Sequence, residues 1–303
     1  ILVLILSASG CLLDFLLGGE QDGDGSNLTP SYILVDTTIA VPTTWTADKV
    51  YVVDGTRFVE STLTIEAGTV VKFTSASGLD IHDPGSVQAL GTAEHPIRFT
   101  AFTDDSVGGD SDGGISSPAA GYWSALSVDS QGSRFEYCEF SYSGYYNTAA
   151  LVVASLGGTT TVDHCTFRDN LSGLDAGYGN SATGVTNCRF YRNGVTAAES
   201  LAPFTISLSM DLDDSNSFSD STGTLFNAYQ YIRLAGGTVS SSATWSETEI
   251  AFAPDYYLSV EGTLALDPGV VIKFRGPDDE MYVSNTGILT GRDQAWFTSF
   301  RDD

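Results

Sequence analysis

Phe135-Glu136-Tyr137-Cys138-Glu139-Phe140 returns as Val162-Asp163-His164-Cys165-Thr166-Phe167, and again as Val185-Thr186-Asn187-Cys188-Arg189-Phe190. A weaker fourth copy sets Asn216 and Phe218 in the Cys and Phe positions. Three residues beyond each Phe stand Ser143, Asn170, Asn193 and Ser221. A repeat of about 25 residues, with strand residues and a turn residue at fixed phase, reads as a β-solenoid. In a strand, residues two apart face the same side, so Cys and Phe point inward and the residue between them points out. Stacking of successive coils then sets Cys on Cys and Phe on Phe along the axis. The Asn or Ser takes the turn, where Asn tolerates positive φ and its amide can bond the next coil. The Cys column is read as free buried thiols, because parallel in-register strands offer poor disulfide geometry.

A second, longer period runs through the chain. Leu63-Thr64-Ile65-Glu66-Ala67-Gly68-Thr69-Val70-Val71-Lys72-Phe73 returns as Leu264-Ala265-Leu266-Asp267-Pro268-Gly269-Val270-Val271-Ile272-Lys273-Phe274. Trp45 and Trp245 precede the two copies, and Phe99-Thr100-Ala101-Phe102-Thr103-Asp104-Asp105 returns as Phe297-Thr298-Ser299-Phe300-Arg301-Asp302-Asp303. The expectation is a tandem duplication of a module of about 200 residues. Residues 31–230 form the first module, and 231–303 are the first part of a second, truncated in this chain.

The signature Leu63-x-Ile65-x-x-Gly68-Thr69-x-Val71-x-Phe73, with His95-Pro96-Ile97-Arg98-Phe99-Thr100 and the Cys-x-Phe-x-x-Asn coils, carries a resemblance. It is similar to bacterial right-handed parallel β-helix repeat proteins of pectate-lyase-like fold, over residues 45–303. The resemblance implies an all-β, right-handed parallel β-helix. It leaves function open, because that family includes lyases, hydrolases, adhesins and surface proteins.

The N-terminus is of another kind. Residues 1–17 are nearly all apolar, and Ala8-Ser9-Gly10-Cys11 sets small residues before a Cys. This resembles a bacterial lipoprotein signal, which implies Cys11 as the lipidation point. The alternative is a docking segment covered by a neighbouring copy of the chain. The absence of an initiator Met suggests that the chain starts inside a precursor. Residues 18–30, rich in Gly, Asp and Ser, read as a flexible acidic linker. No apolar run reaches the roughly eighteen residues of an ordinary membrane span.

Charge narrows the partners. There are 38 Asp and Glu against 13 Lys and Arg, a formal net charge of −25. Such a surface repels phosphate backbones, so nucleic acid is excluded as a partner. Divalent cations suit it better. Asp104-Asp105-Ser106-Val107-Gly108-Gly109-Asp110-Ser111-Asp112-Gly113-Gly114 alternates hard oxygen ligands with flexible Gly, which makes Asp104, Asp105, Asp110 and Asp112 the candidate Ca²⁺ ligands. The other reading of this stretch is a solvated acidic loop.

Catalysis has weaker support. Cleavage of a polysaccharide needs carboxylates placed as acid and base, or Ca²⁺ with an Arg or Lys base. The outward column Glu139, Thr166 and Arg189, with Asp163, His164, Arg168 and Asp169 nearby, is where such a group could assemble. His82, His95 and His164 are far apart and show no ligand spacing. Tyr142, Tyr145, Tyr146 and Trp123, with Tyr178, are candidates for a sugar-stacking strip, against the plainer account of Tyr as a strand residue. The reading is therefore an exported, surface-anchored structural or adhesive β-helix without catalysis. It competes with a subunit of an extracellular assembly, docked through the apolar N-terminus, and with a polysaccharide-binding or polysaccharide-cleaving enzyme.

Overall fold

The computed structural model describes residues 32–154, 159–178, 183–194 and 201–301. The expected anchor at 1–17 with Cys11, and the linker at 18–30, lie outside these residues. The described chain is nearly all strand, wound as a parallel β-solenoid of about 10 turns. One coil shows the plan: Val70–Phe73, Gly78–His82 and Ser86–Leu90 lie on three faces, and Ile97–Ala101 returns to the first face. Among the described residues these faces grow into sheets of seven, ten and six strands.

The strands are short because each coil turns sharply at fixed places. The residue before each Cys is left-handed: Tyr137 at φ 48°, His164 at 51° and Asn187 at 53°. So is the residue two beyond each Phe, namely Tyr142, Asp169 and Arg192. Left-handed backbone is costly for most side chains, and only Asn and Asp among these accept it readily. Each Cys-x-Phe strand is thus bracketed by two corners that stacking holds in place.

Inside, the expected columns are present. Glu139, Thr166 and Arg189 pair in register, as do Phe140, Phe167 and Phe190. The rings stack nearly face to face, at centroid distances of 4.8 Å from Phe99 to Phe140, 4.9 Å from Phe140 to Phe167 and 5.0 Å from Phe167 to Phe190. Those spacings match the separation of neighbouring strands in a sheet, so the column follows from the ladder. Cys138, Cys165 and Cys188 are free and buried. Each thiol lies within hydrogen-bond range of a carbonyl one coil earlier: Ala89 O at 3.5 Å, Phe135 O at 3.4 Å and Val162 O at 3.5 Å. Burial pushes the Cys165 and Cys188 thiols well up, so they pack as small apolar groups.

A second column is polar. Asn170 Oδ1 accepts from Ser143 N at 2.8 Å, Asn193 Oδ1 from Asn170 N at 3.1 Å, and Asn227 Oδ1 from Asn193 N at 3.2 Å. The amide nitrogens donate to Phe140 O, Phe167 O and Phe190 O, each at 2.9 Å. Buried backbone groups at the corner are thereby satisfied coil by coil. The fourth rung is Asn227, where the repeat pointed to Ser221. The chain between them leaves the coil, with Ser219 and Phe226 forming an isolated antiparallel bridge. Asn216 does keep the Cys position of its coil, with its Oδ1 accepting from Cys188 N at 3.0 Å.

The two sequence copies are equivalent strand by strand but not face by face. Val70–Phe73 belongs to the seven-stranded sheet, whereas its counterpart Val271–Phe274 extends the ten-stranded sheet. The handover occurs where Phe204–Ile206 pairs with Tyr231–Leu234. The strands that follow, Gly237–Val239 and Ser242–Trp245, each start a new three-stranded sheet.

Candidate functional site

The outward faces of three successive Cys-x-Phe strands form the floor of a groove of about 280 Å³. Glu139, Thr166 and Arg189 line it from one outward column, Arg168 and Tyr191 from the next, and Arg192 from the left-handed corner. The excursion after Phe218 supplies the wall through Asp220, Ser221 and Leu225. Arg192 N donates to Phe226 O at 3.0 Å, which ties that wall to the floor. Within the excursion Asp220 N donates to Leu225 O at 3.0 Å. The Asp220 carboxylate accepts from the Thr222 hydroxyl and from the amides of Leu225 and Thr224, which hold it well below the usual carboxylate range.

Three guanidiniums meet in this groove, in a chain with 13 basic residues altogether. Two are engaged. Arg168 donates through Nε to Glu139 at 2.7 Å and through Nη1 to Asp169 at 2.7 Å. Burial acts against its charge, but Glu139 and Asp169 outweigh burial and hold it up. Arg192 also bonds Asp169. Arg189 differs: its Nε is buried with no hydrogen-bond partner, and the Nε of Arg192 shares that condition.

Of the residues expected to cluster with Glu139, Thr166 and Arg189, the structure brings Arg168 to the groove, with Asp169 as its ion-pair partner. Asp163 and His164 lie at the other corner and pair with each other at 2.8 Å. Burial acts to raise the Asp163 carboxyl. Hydrogen bonds from Asn187 and Thr186, together with His164, outweigh that and hold it below the usual range. Tyr191, Arg192 and the wall residues were missed. Their signal was the irregular spacing after Phe218, which marks an excursion without saying where it folds.

The aromatic candidates divide into one core residue and several exposed or half-buried tyrosines. Trp123 is fully buried, stacked on Phe73 at 4.3 Å, with Nε1 donating to Ser141 O at 2.7 Å. It is a core residue and offers no face to a sugar. Tyr145 and Tyr146 are exposed on a short 3-10 turn, their rings at 87° to one another. Tyr142 is half-buried beside Arg168. Tyr178 is exposed as well.

The acidic loop is organised differently from the expected ligand set. Asp104 is buried, its carboxylate accepting from the hydroxyls of Thr100 and Ser106, each at 2.6 Å. Asp105, Asp110 and Asp112 bring carboxylate oxygens within 4.8 Å of one another at the surface. Beneath them the fully buried Lys72 donates through Nζ to Asp104 O at 2.8 Å and to Gly109 O at 2.6 Å. Burial holds this ammonium below the usual lysine range, against the pull of the four Asp. The loop thus wraps around a cation that belongs to the chain. Burial and the charges of Asp110 and Asp112 raise Asp105, whereas Asp112 is lowered by the Ser116 hydroxyl and the Gly114 amide.

Among the described residues no helix is long and apolar enough to cross a membrane. Compared with protein families, with characterised proteins and with solved structures, the chain matches none.

Proposed function

We propose that this chain is an exported, surface-held β-solenoid with a structural or adhesive role, and that its body is non-catalytic. The observation that carries the reading is the continuity of the interior. A ring column, a thiol column and an amide ladder run side by side through successive coils, which ties each coil to the next as in a solenoid scaffold. The outward acids of the groove support the same reading. Glu139 is taken by Arg168 and Asp220 by its own turn, which leaves neither poised as a free acid or base.

Surface attachment rests on the apolar N-terminus with Cys11 and the Gly- and Asp-rich stretch behind it. Kinship with the pectate-lyase-like families belongs to the same proposal. Fractionation of cells expressing the whole chain tests the attachment. The native chain should sediment with membranes, and Cys11→Ser should release it. If Cys11→Ser stays in the membrane or assembled fraction, the segment docks on a neighbouring copy and the lipid anchor is refuted.

A further inference from the structure

We propose that the groove between the Cys-x-Phe strands and the excursion at Ser219–Phe226 is a binding site for a tetrahedral oxyanion, a sulfate or phosphate group carried by a ligand. The site stands on its own residues and does not depend on the scaffold reading. A guanidinium that bonds a carboxylate is already compensated, as Arg168 is by Glu139 and Asp169. Arg189 has no such partner. No hydrogen bond or ion pair among the described residues engages its guanidinium, which lines the groove beside Thr166 and Tyr191. A guanidinium that faces a groove with no counter-charge of its own gains by pairing with an anion that enters there.

The remaining lining defines the shape of the anion. The hydroxyls of Thr166, Tyr191 and Ser221 bond no other described residue. One unpaired guanidinium and three hydroxyls lining one groove offer more donors than the two oxygens of a carboxylate can accept, whereas the four oxygens of a sulfate or phosphate group can take them. Leu225 on the wall and the ring of Tyr191 give an apolar side against which the body of a ligand can lie. Asp220 does not compete for the guanidiniums, because its oxygens are held by Thr222, Thr224 and Leu225. The strongly acidic surface excludes polyanions in general. A single anionic group that reaches between two walls is the fitting case.

The test uses the whole chain, with sodium sulfate, sodium phosphate, sodium acetate and sodium chloride at matched ionic strength. Arginine Nε–H signals are followed by NMR, and affinity by titration. Sulfate or phosphate should shift the Arg189 Nε–H signal saturably, and Arg189→Gln should weaken binding by about tenfold or more. The stronger of the two anions indicates whether the natural ligand carries a sulfate or a phosphate ester. Equal effects of chloride and sulfate would overturn the site, as would unchanged affinity in Arg189→Gln. Acetate binding as well as sulfate would overturn the tetrahedral assignment. Because the NMR arm reads the unaltered protein, the proposal stays testable even if the variant folds poorly.

Discussion

Asn193 Oδ1 lies 3.1 Å from the backbone N of Asn170 and 3.1 Å from its Nδ2, so one side chain satisfies two donors of the coil before it. Its own Nδ2 donates to Phe167 O and to Asn227 Oδ1, each at 2.9 Å. Every polar atom of a buried amide is thus used, and the same bonds fix the corner that starts the next face. Asn193→Ala would strand the Asn170 amide and the Phe167 carbonyl in the core. The expected loss is about 2–4 kcal/mol, since each buried polar group left unpaired costs about 1–3 kcal/mol. Urea unfolding of the variant measures it. A loss below about 0.5 kcal/mol would mean that water replaces the rung and that the ladder is decoration.

Glu247 makes stability depend on pH. It is buried just beyond Trp245, with Oε1 accepting from Glu249 N at 2.6 Å and Oε2 without a partner. Burial raises its pKa from 4.5 to about 7, and the nearby Glu249 and Asp214 charges push the same way against the backbone hydrogen bonds. The folded chain therefore holds the proton more tightly than the unfolded chain. The contribution is full below pH 4.5, falls as pH rises through about 7, and levels off above that. The span is on the order of 3 kcal/mol. Unfolding curves across this window should flatten in Glu247→Gln. An identical pH profile in that variant would refute the assignment.

The acidic loop invites a cation measurement. Asp105, Asp110 and Asp112 repel one another at the surface, and a divalent ion that binds the folded state stabilises it by mass action. The expected outcome is a higher melting temperature in millimolar-range Ca²⁺ than in chelator, lost in Asp110→Asn. Coincident melting curves would leave the loop as a solvated turn, with Lys72 as its only cation.

The interior was legible because its signal is local and repeated. Cys138, Cys165 and Cys188 and their following Phe announce both the alternation within a strand and the stacking between coils. Asn170 and Asn193 announce the turn. What escaped depends on segments that leave the repeat. Lys72 sits at an outward position of its strand, between Val71 and Phe73, and it is buried only because the 104–112 loop folds over it. The rung at Asn227 and the groove wall escaped for the same reason, since an excursion lengthens the period without declaring where it packs. Trp123 misled because an aromatic in a Gly- and Ala-rich stretch gives no indication of which face it takes. The change of face between the copies is invisible to the repeat, which sets strand equivalence and is silent on which sheet a strand extends.

The claim at the centre of this account is a solenoid body that binds or supports without turning over a substrate. It is tested most directly by incubating the whole chain, with and without Ca²⁺, with a panel of acidic and neutral polysaccharides. New reducing ends and unsaturated products are followed over time, with a Glu139→Gln, Arg189→Gln double variant as the reference. The account predicts that the native chain and the variant generate no chain ends above the protein-free control. Depolymerisation by the native chain that disappears in the variant would contradict it, and would make the groove an active site.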